Sequence, residues 1–85
     1  MKLTDAVFKF WRANSDLRRA AYDEFLSRQP EYGDAWLDLD VEALCGTVRG
    51  EANRLRPEMS KLVLRQRIVD VSAYLAMLYR LTEES

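Results

Sequence analysis

The chain has no histidine, one cysteine, two prolines and three glycines in 85 residues, and its 13 basic and 14 acidic side chains nearly cancel to a formal charge of −1. Each shortage removes a class of function. Without histidine, a serine or cysteine nucleophile lacks its usual general base, and a metal site must rely on carboxylates, which suit magnesium and argue against structural zinc. The lone Cys45 excludes an internal disulfide. With no basic and apolar leader ahead of the domain, it sets the expectation of a reducing, cytoplasmic location. No apolar run approaches the ~20 residues of a membrane helix, so no membrane partner is expected. A charge near zero supplies no overall field toward nucleic acid or an anionic bilayer, and nucleic-acid binding is not expected either.

What remains reads as one helical domain over residues 1–85. Hydrophobic residues make up 48% of the chain. With so few breakers among them, they predict an all-α fold, a small bundle of three to five helices with a long apolar C-terminal helix. A chain this short buries only about 60–65% of its unfolded surface, which predicts self-association as a homodimer.

From Thr4 to Arg28, Val7, Phe8, Trp11, Leu17, Ala21 and Phe25 recur at helical steps. Asn14 and Ser15 interrupt the pattern, leaving open one bent helix or two short ones, and Pro30 is expected to close the segment before a turn at Gly33. Asp38 and Asp40 then stand where an aspartate caps free backbone N–H groups, ahead of a helix expected from Val41 to Arg56. Its Gly46 and Gly50 fit either a close helix approach or a loosened surface helix, at roughly 1 kcal/mol each relative to alanine. After Pro57, residues Glu58 to Glu83 read as the final helix, with a loose turn near Ser60. Its stripe of Leu64, Ile68, Val71, Leu75 and Leu78 calls for cover on more than one side, and the expected dimer contact runs through this helix and the 41–56 helix.

Charge is unevenly spread. Glu31, Asp34, Asp38, Asp40 and Glu42 lie in a stretch free of Lys and Arg, whereas Arg49, Arg54, Arg56, Lys61, Arg65 and Arg67 follow closely. The two segments read as metal-binding and phosphate-binding sides, or as complementary or solvated faces. Asp70 sits between Val69 and Val71 in the most apolar segment, where a buried carboxylate costs several kcal/mol unless a cation or several donors meet it. The expected partner is Arg54 in a buried ion pair, or else magnesium, with Tyr74 one turn further on the same face. Trp11, Trp36, Tyr22, Tyr32, Tyr74 and Tyr79 have the chemistry to stack on a base, but core packing is the expectation for most of them.

The Tyr32, Gly33, Asp34, Ala35, Trp36 segment, then Arg54 and Leu55 at a helix end, then Asp70 and Tyr74 on the last helix make a recognisable set. On these residues the chain resembles the small all-α proteins of the MazG-like group, in particular the phage nucleotide-modification-associated domain, over roughly residues 28 to 79. The resemblance implies a helical nucleotide-binding domain, often dimeric or higher. Active members hydrolyse nucleoside triphosphates to the monophosphate and pyrophosphate, with magnesium held by carboxylates of two helices. Those carboxylates are usually an acidic pair at a three-residue step, followed downstream by Glu, two residues and Asp. Asp70 matches the last acidic position, but Arg67 stands three residues earlier and cannot bind metal. Glu31 and Asp34 have the three-residue step with Gly33 between them, and Glu51 stands alone. Asp23 and Glu24 are neighbours, about 100° apart on a helix.

Three expectations follow. The first is a phage-encoded, cytoplasmic interaction or regulatory protein on a MazG-like scaffold with a degraded metal site. It has no cofactor and meets a host protein through Asp34, Asp38 and Glu42. The second is a magnesium-dependent nucleoside triphosphate pyrophosphohydrolase, with Asp70, Glu51, Glu31 and Asp34 on the metal and Arg54 or Lys61 on the phosphates. The third and weakest is a nucleic-acid binder or mimic, for which the acidic stretch is short.

Overall fold

The computed structural model describes residues 4–83, with Tyr32 described for its backbone alone. Every regular element among them is helical: α1 (Asp5–Tyr32), a 3-10 turn (Ala35–Asp38), α2 (Val41–Ala52) and α3 (Lys61–Leu81). The protein is all-α, as its composition predicted.

α1 is one continuous helix. The Thr4 hydroxyl caps it by accepting the Val7 N–H at 3.2 Å. Asn14 and Ser15 cost only about half a kcal/mol each in helix propensity, and no Gly or Pro stands between Thr4 and Gln29 to turn that cost into a break. Pro30 does not end the helix as the sequence suggested; it lies inside the last turn. A proline there forfeits only its own backbone bond, with little helix left beyond it to disrupt. Termination falls to Gly33, which takes φ +59° and donates its N–H to the Gln29 carbonyl at 2.7 Å. A side chain at that φ is strained, so glycine suits the position. At 1.5 Å per residue α1 is about 42 Å long, the full 42 Å of the molecule's longest dimension.

α2 starts where Asp40 accepts the Glu42 N–H at 3.2 Å, and it stops at Ala52, short of the expected Arg56. The N–H groups of Arg54 and Leu55 turn inward to the Glu51 and Ala52 carbonyls at 3.1 Å each. That tighter turn, and the bias of a residue before proline away from α geometry, end the helix early. A Cβ built on Gly46 or Gly50 meets nothing within 4 Å. Within this chain the two glycines loosen a surface helix and admit no close neighbour.

α3 begins at Ser60, whose hydroxyl accepts the Val63 N–H at 3.3 Å. Both α1 and α2 pack against it, as does the 3-10 turn, so it holds the middle of the fold. It is not the apolar cylinder the sequence suggested. None of its residues is fully buried, and Leu62 is 80% exposed. Two flanking helices cover only part of its circumference.

Buried hydrophobic side chains are confined to Ala21 and Leu44 among the described residues. Trp11, Tyr22 and Tyr79 lie on the surface instead of in the core expected for them. Among the described residues no helix is long and apolar enough to cross a membrane.

Candidate functional site

A cavity of about 500 Å³ opens where the C-terminal half of α1, the 3-10 turn, the end of α2 and the middle of α3 meet. From α1 it takes Glu24, Phe25, Arg28 and Gln29, two pairs at four-residue spacing on adjoining strips of the helix. The turn supplies Ala35 and Trp36, followed by Leu39. Glu51 and Arg54 come from the end of α2. α3 contributes Arg67, Asp70, Ala73, Tyr74 and Met77, whose three- and four-residue steps keep one face toward the opening.

Trp36 is fixed by Phe25, edge to face with ring centroids 5.9 Å apart. Such a pair contributes about 0.5–1.5 kcal/mol beyond its buried area. It ties the turn to α1, and with it one apolar wall. Tyr74, Ala73 and Met77 complete the apolar lining from α3.

The polar lining holds three arginines and three carboxylates, and most are already paired. Arg28 Nε donates to Glu24 Oε1 at 2.7 Å. Arg54 Nη1 lies 3.7 Å from Glu51 Oε1. Asp70 Oδ1 accepts from Gln66 Nε2 at 3.2 Å. Arg67 Nε and Gln29 Oε1 are shielded from solvent and make no hydrogen bond to any described residue. An enclosed N–H without an acceptor costs about 1–3 kcal/mol, a debt that an incoming anionic oxygen removes.

The ion pair expected between Asp70 and Arg54 does not form. Both line the cavity, but Arg54 is held by Glu51 three residues earlier on the same stretch, and Asp70 is half-buried instead of buried, with an amide as donor. Nor do the four candidate metal ligands converge. Glu51 and Asp70 border the cavity; Glu31 and Asp34 are exposed outside it, and Asp34 accepts from Gln29 Nε2 at 2.9 Å. Among the described residues no three His, Cys, Asp or Glu side chains stand together as a metal cage. Lys61, at the first turn of α3, is exposed and does not line the cavity, while Arg54 does. Asp38 and Glu42, like Asp34, are exposed within the acidic stretch of the chain.

Sequence reasoning missed Glu24, Arg28, Gln29 and Phe25. Their i, i+4 spacing on α1 is the signal that places them on adjoining strips of one helix. Arg67, which stands where the family pattern has a metal ligand, is the least exposed of the three arginines that line the cavity. No protein-family model, curated protein or solved structure matches the chain.

Proposed function

We propose that the protein is a small MazG-like binding module, which holds a nucleotide-type ligand in this cavity without turning it over and acts on a protein partner through its acidic flank. The observation that carries the reading is the meeting of Trp36, Arg54, Asp70 and Tyr74 around one cavity, beside the unpartnered N–H of Arg67. Aromatic faces stack on bases at about 1–3 kcal/mol each. Arginine forks match phosphate oxygens. Asp70, with its carboxylate inside the lining, is suited to accept from a base amine or a ribose hydroxyl.

Turnover is left out of the reading because magnesium needs carboxylate oxygens to spare, and Glu24 and Glu51 are each engaged by an arginine. One observation favours the pyrophosphohydrolase as a second reading: Glu24, Glu51 and Asp70 reach the same cavity from three different helices. The setting we take is a phage-encoded protein in the cytoplasm, which the free, half-buried Cys45 suits.

Calorimetry with a panel of ribo- and deoxyribonucleoside triphosphates, in EDTA and in magnesium, tests this while pyrophosphate release is followed in parallel. Binding in both buffers without pyrophosphate is the expected result. Trp36→Ala and Arg67→Met should each weaken binding about tenfold or more, the worth of one stacked base or charged hydrogen bond. No binding in either buffer overturns the proposal. Magnesium-dependent pyrophosphate release that disappears in Asp70→Asn gives the cavity to the hydrolase. Capture of partners from a host lysate should change when Asp34 and Asp38 become Asn and Glu42 becomes Gln; an unchanged set removes the acidic flank from the argument.

A further inference from the structure

The chain exposes 7212 Å², against about 5,200 Å² for a folded monomer of its mass, an excess of roughly 2,000 Å². Its radius of gyration is 14.8 Å, where about 12 Å is usual for 85 residues. Both departures describe an open packing of three helices, and among the described residues many large hydrophobic side chains stay exposed. Obligate homodimers bury about 2,000–5,000 Å² in total, or 1,000–2,500 Å² per subunit, and the excess falls within that range.

Part of the surplus is gathered in one place, although exposed apolar residues such as Phe10 and Leu62 lie elsewhere. A second groove runs between α1 and α3, lined by Leu17, Ala21, Tyr22, Leu75 and Ala76, with Arg18 as its one charged side chain. Tyr22 is 62% exposed and Leu75 47%. Further along α1, Phe8 and Trp11 continue the apolar strip toward the N-terminus, their rings 6.1 Å apart and both exposed. Loss of charge with retention of aromatic residues marks the centre of subunit interfaces.

We infer that a second copy of this chain covers the α1–α3 groove, forming a two-fold dimer through α1 and α3. This contact differs from the α2–α3 contact expected from the sequence and does not depend on what the cavity binds. A second copy suits the surface better than an occasional partner, because a deficit this large has to be covered whenever the chain is folded. A chain with net charge −1 also brings almost no repulsion to self-pairing. Phe25, Trp36, Ala73 and Met77 border both the groove and the cavity, so the docked copy closes the rear of the ligand site.

Sedimentation equilibrium on the full chain tests the inference, with melting followed over a hundredfold range of protein concentration. The expected mass is twice the 9.9 kDa of one chain, with a melting temperature that rises with concentration. Tyr22→Glu and Leu75→Glu each remove a buried apolar side chain from both halves of the interface. Each should therefore raise the dissociation constant about 100-fold or more. Leu37→Glu, at an exposed position in the 3-10 turn outside the groove, should leave it unchanged. The wild-type concentration series decides the matter even where a glutamate variant unfolds. A 9.9 kDa mass with concentration-independent melting overturns the inference, as does a monomer that assembles only with a different protein. A dimer indifferent to both glutamates overturns the assigned face.

Discussion

Shortening Leu44 to alanine should cost about 2–3 kcal/mol of folding stability. Leu44 is 2% exposed and is the largest fully buried side chain described, at the point where α2 meets α3. Removing three carbon groups at about 0.8 kcal/mol each accounts for roughly 2.4 kcal/mol of transfer energy. The cavity term adds little, because the surrounding α3 side chains are half-buried and free to settle inward. A chain of 85 residues has about 4–13 kcal/mol to lose, so one side chain accounts for a large share. Urea denaturation followed by helical circular dichroism reads the effect. With a slope near 1 kcal/mol per molar for so small a protein, the midpoint should fall by about 2 M. Leu62→Ala, at an 80% exposed position, is the control and should stay within about 0.5 kcal/mol. Both must be measured at one protein concentration, since association shifts apparent stability. Equal losses at the two positions would refute the placement of the core at Leu44, and so would a Leu44→Ala loss below about 1 kcal/mol.

Replacing Gly46 and Gly50 together by alanine should raise stability by about 1–2 kcal/mol, since an added Cβ meets open space at both and Gly50 lies near the fraying end of α2. Destabilisation in the same denaturation assay would mean that another chain approaches α2 closely. Arg67→Met should hold or raise the melting temperature, because it removes an enclosed N–H that lacks an acceptor, while nucleotide affinity falls. A clear drop in melting temperature would show that the guanidinium is structurally engaged. Asp70→Ala should cost about 1 kcal/mol or less, the worth of one hydrogen bond on a half-buried face. A loss above about 3 kcal/mol would restore the buried ion pair.

Asp40 is legible in the sequence as a cap, whereas Thr4 reads there only as the start of the first segment and Ser60 only as the site of a loose turn. Thr4, Asp40 and Ser60 stand at helix starts because each offers a side-chain oxygen to a free N–H two or three residues ahead, a local interaction between near neighbours. Part of the cavity was readable too. Trp36, Arg54, Asp70 and Tyr74 were singled out in sequence and meet in space. The partners of those residues differ from the expected ones. The expected pair with Arg54 requires full burial of Asp70, but α3 is covered on too few sides to bury it, and Glu51 is three residues from Arg54 and captures it first. The surface positions of Trp11 and Tyr22 show the same limit, for an aromatic residue at helical spacing marks an apolar face whether or not a partner covers that face.

The order of side chains determined which segments become helices, because capping, glycine freedom at Gly33 and the distaste of Arg56 for α geometry before Pro57 all act within a few residues. Tertiary structure decided which faces stay open. α1 and α2 both choose α3 and cover it only in part, and that choice draws Glu24, Arg28 and Gln29 into the cavity while it leaves Glu31, Asp34 and Lys61 outside. Helix packing is set by crossing angles and by the total apolar area available, sums over residues distant in the chain that no local pattern carries.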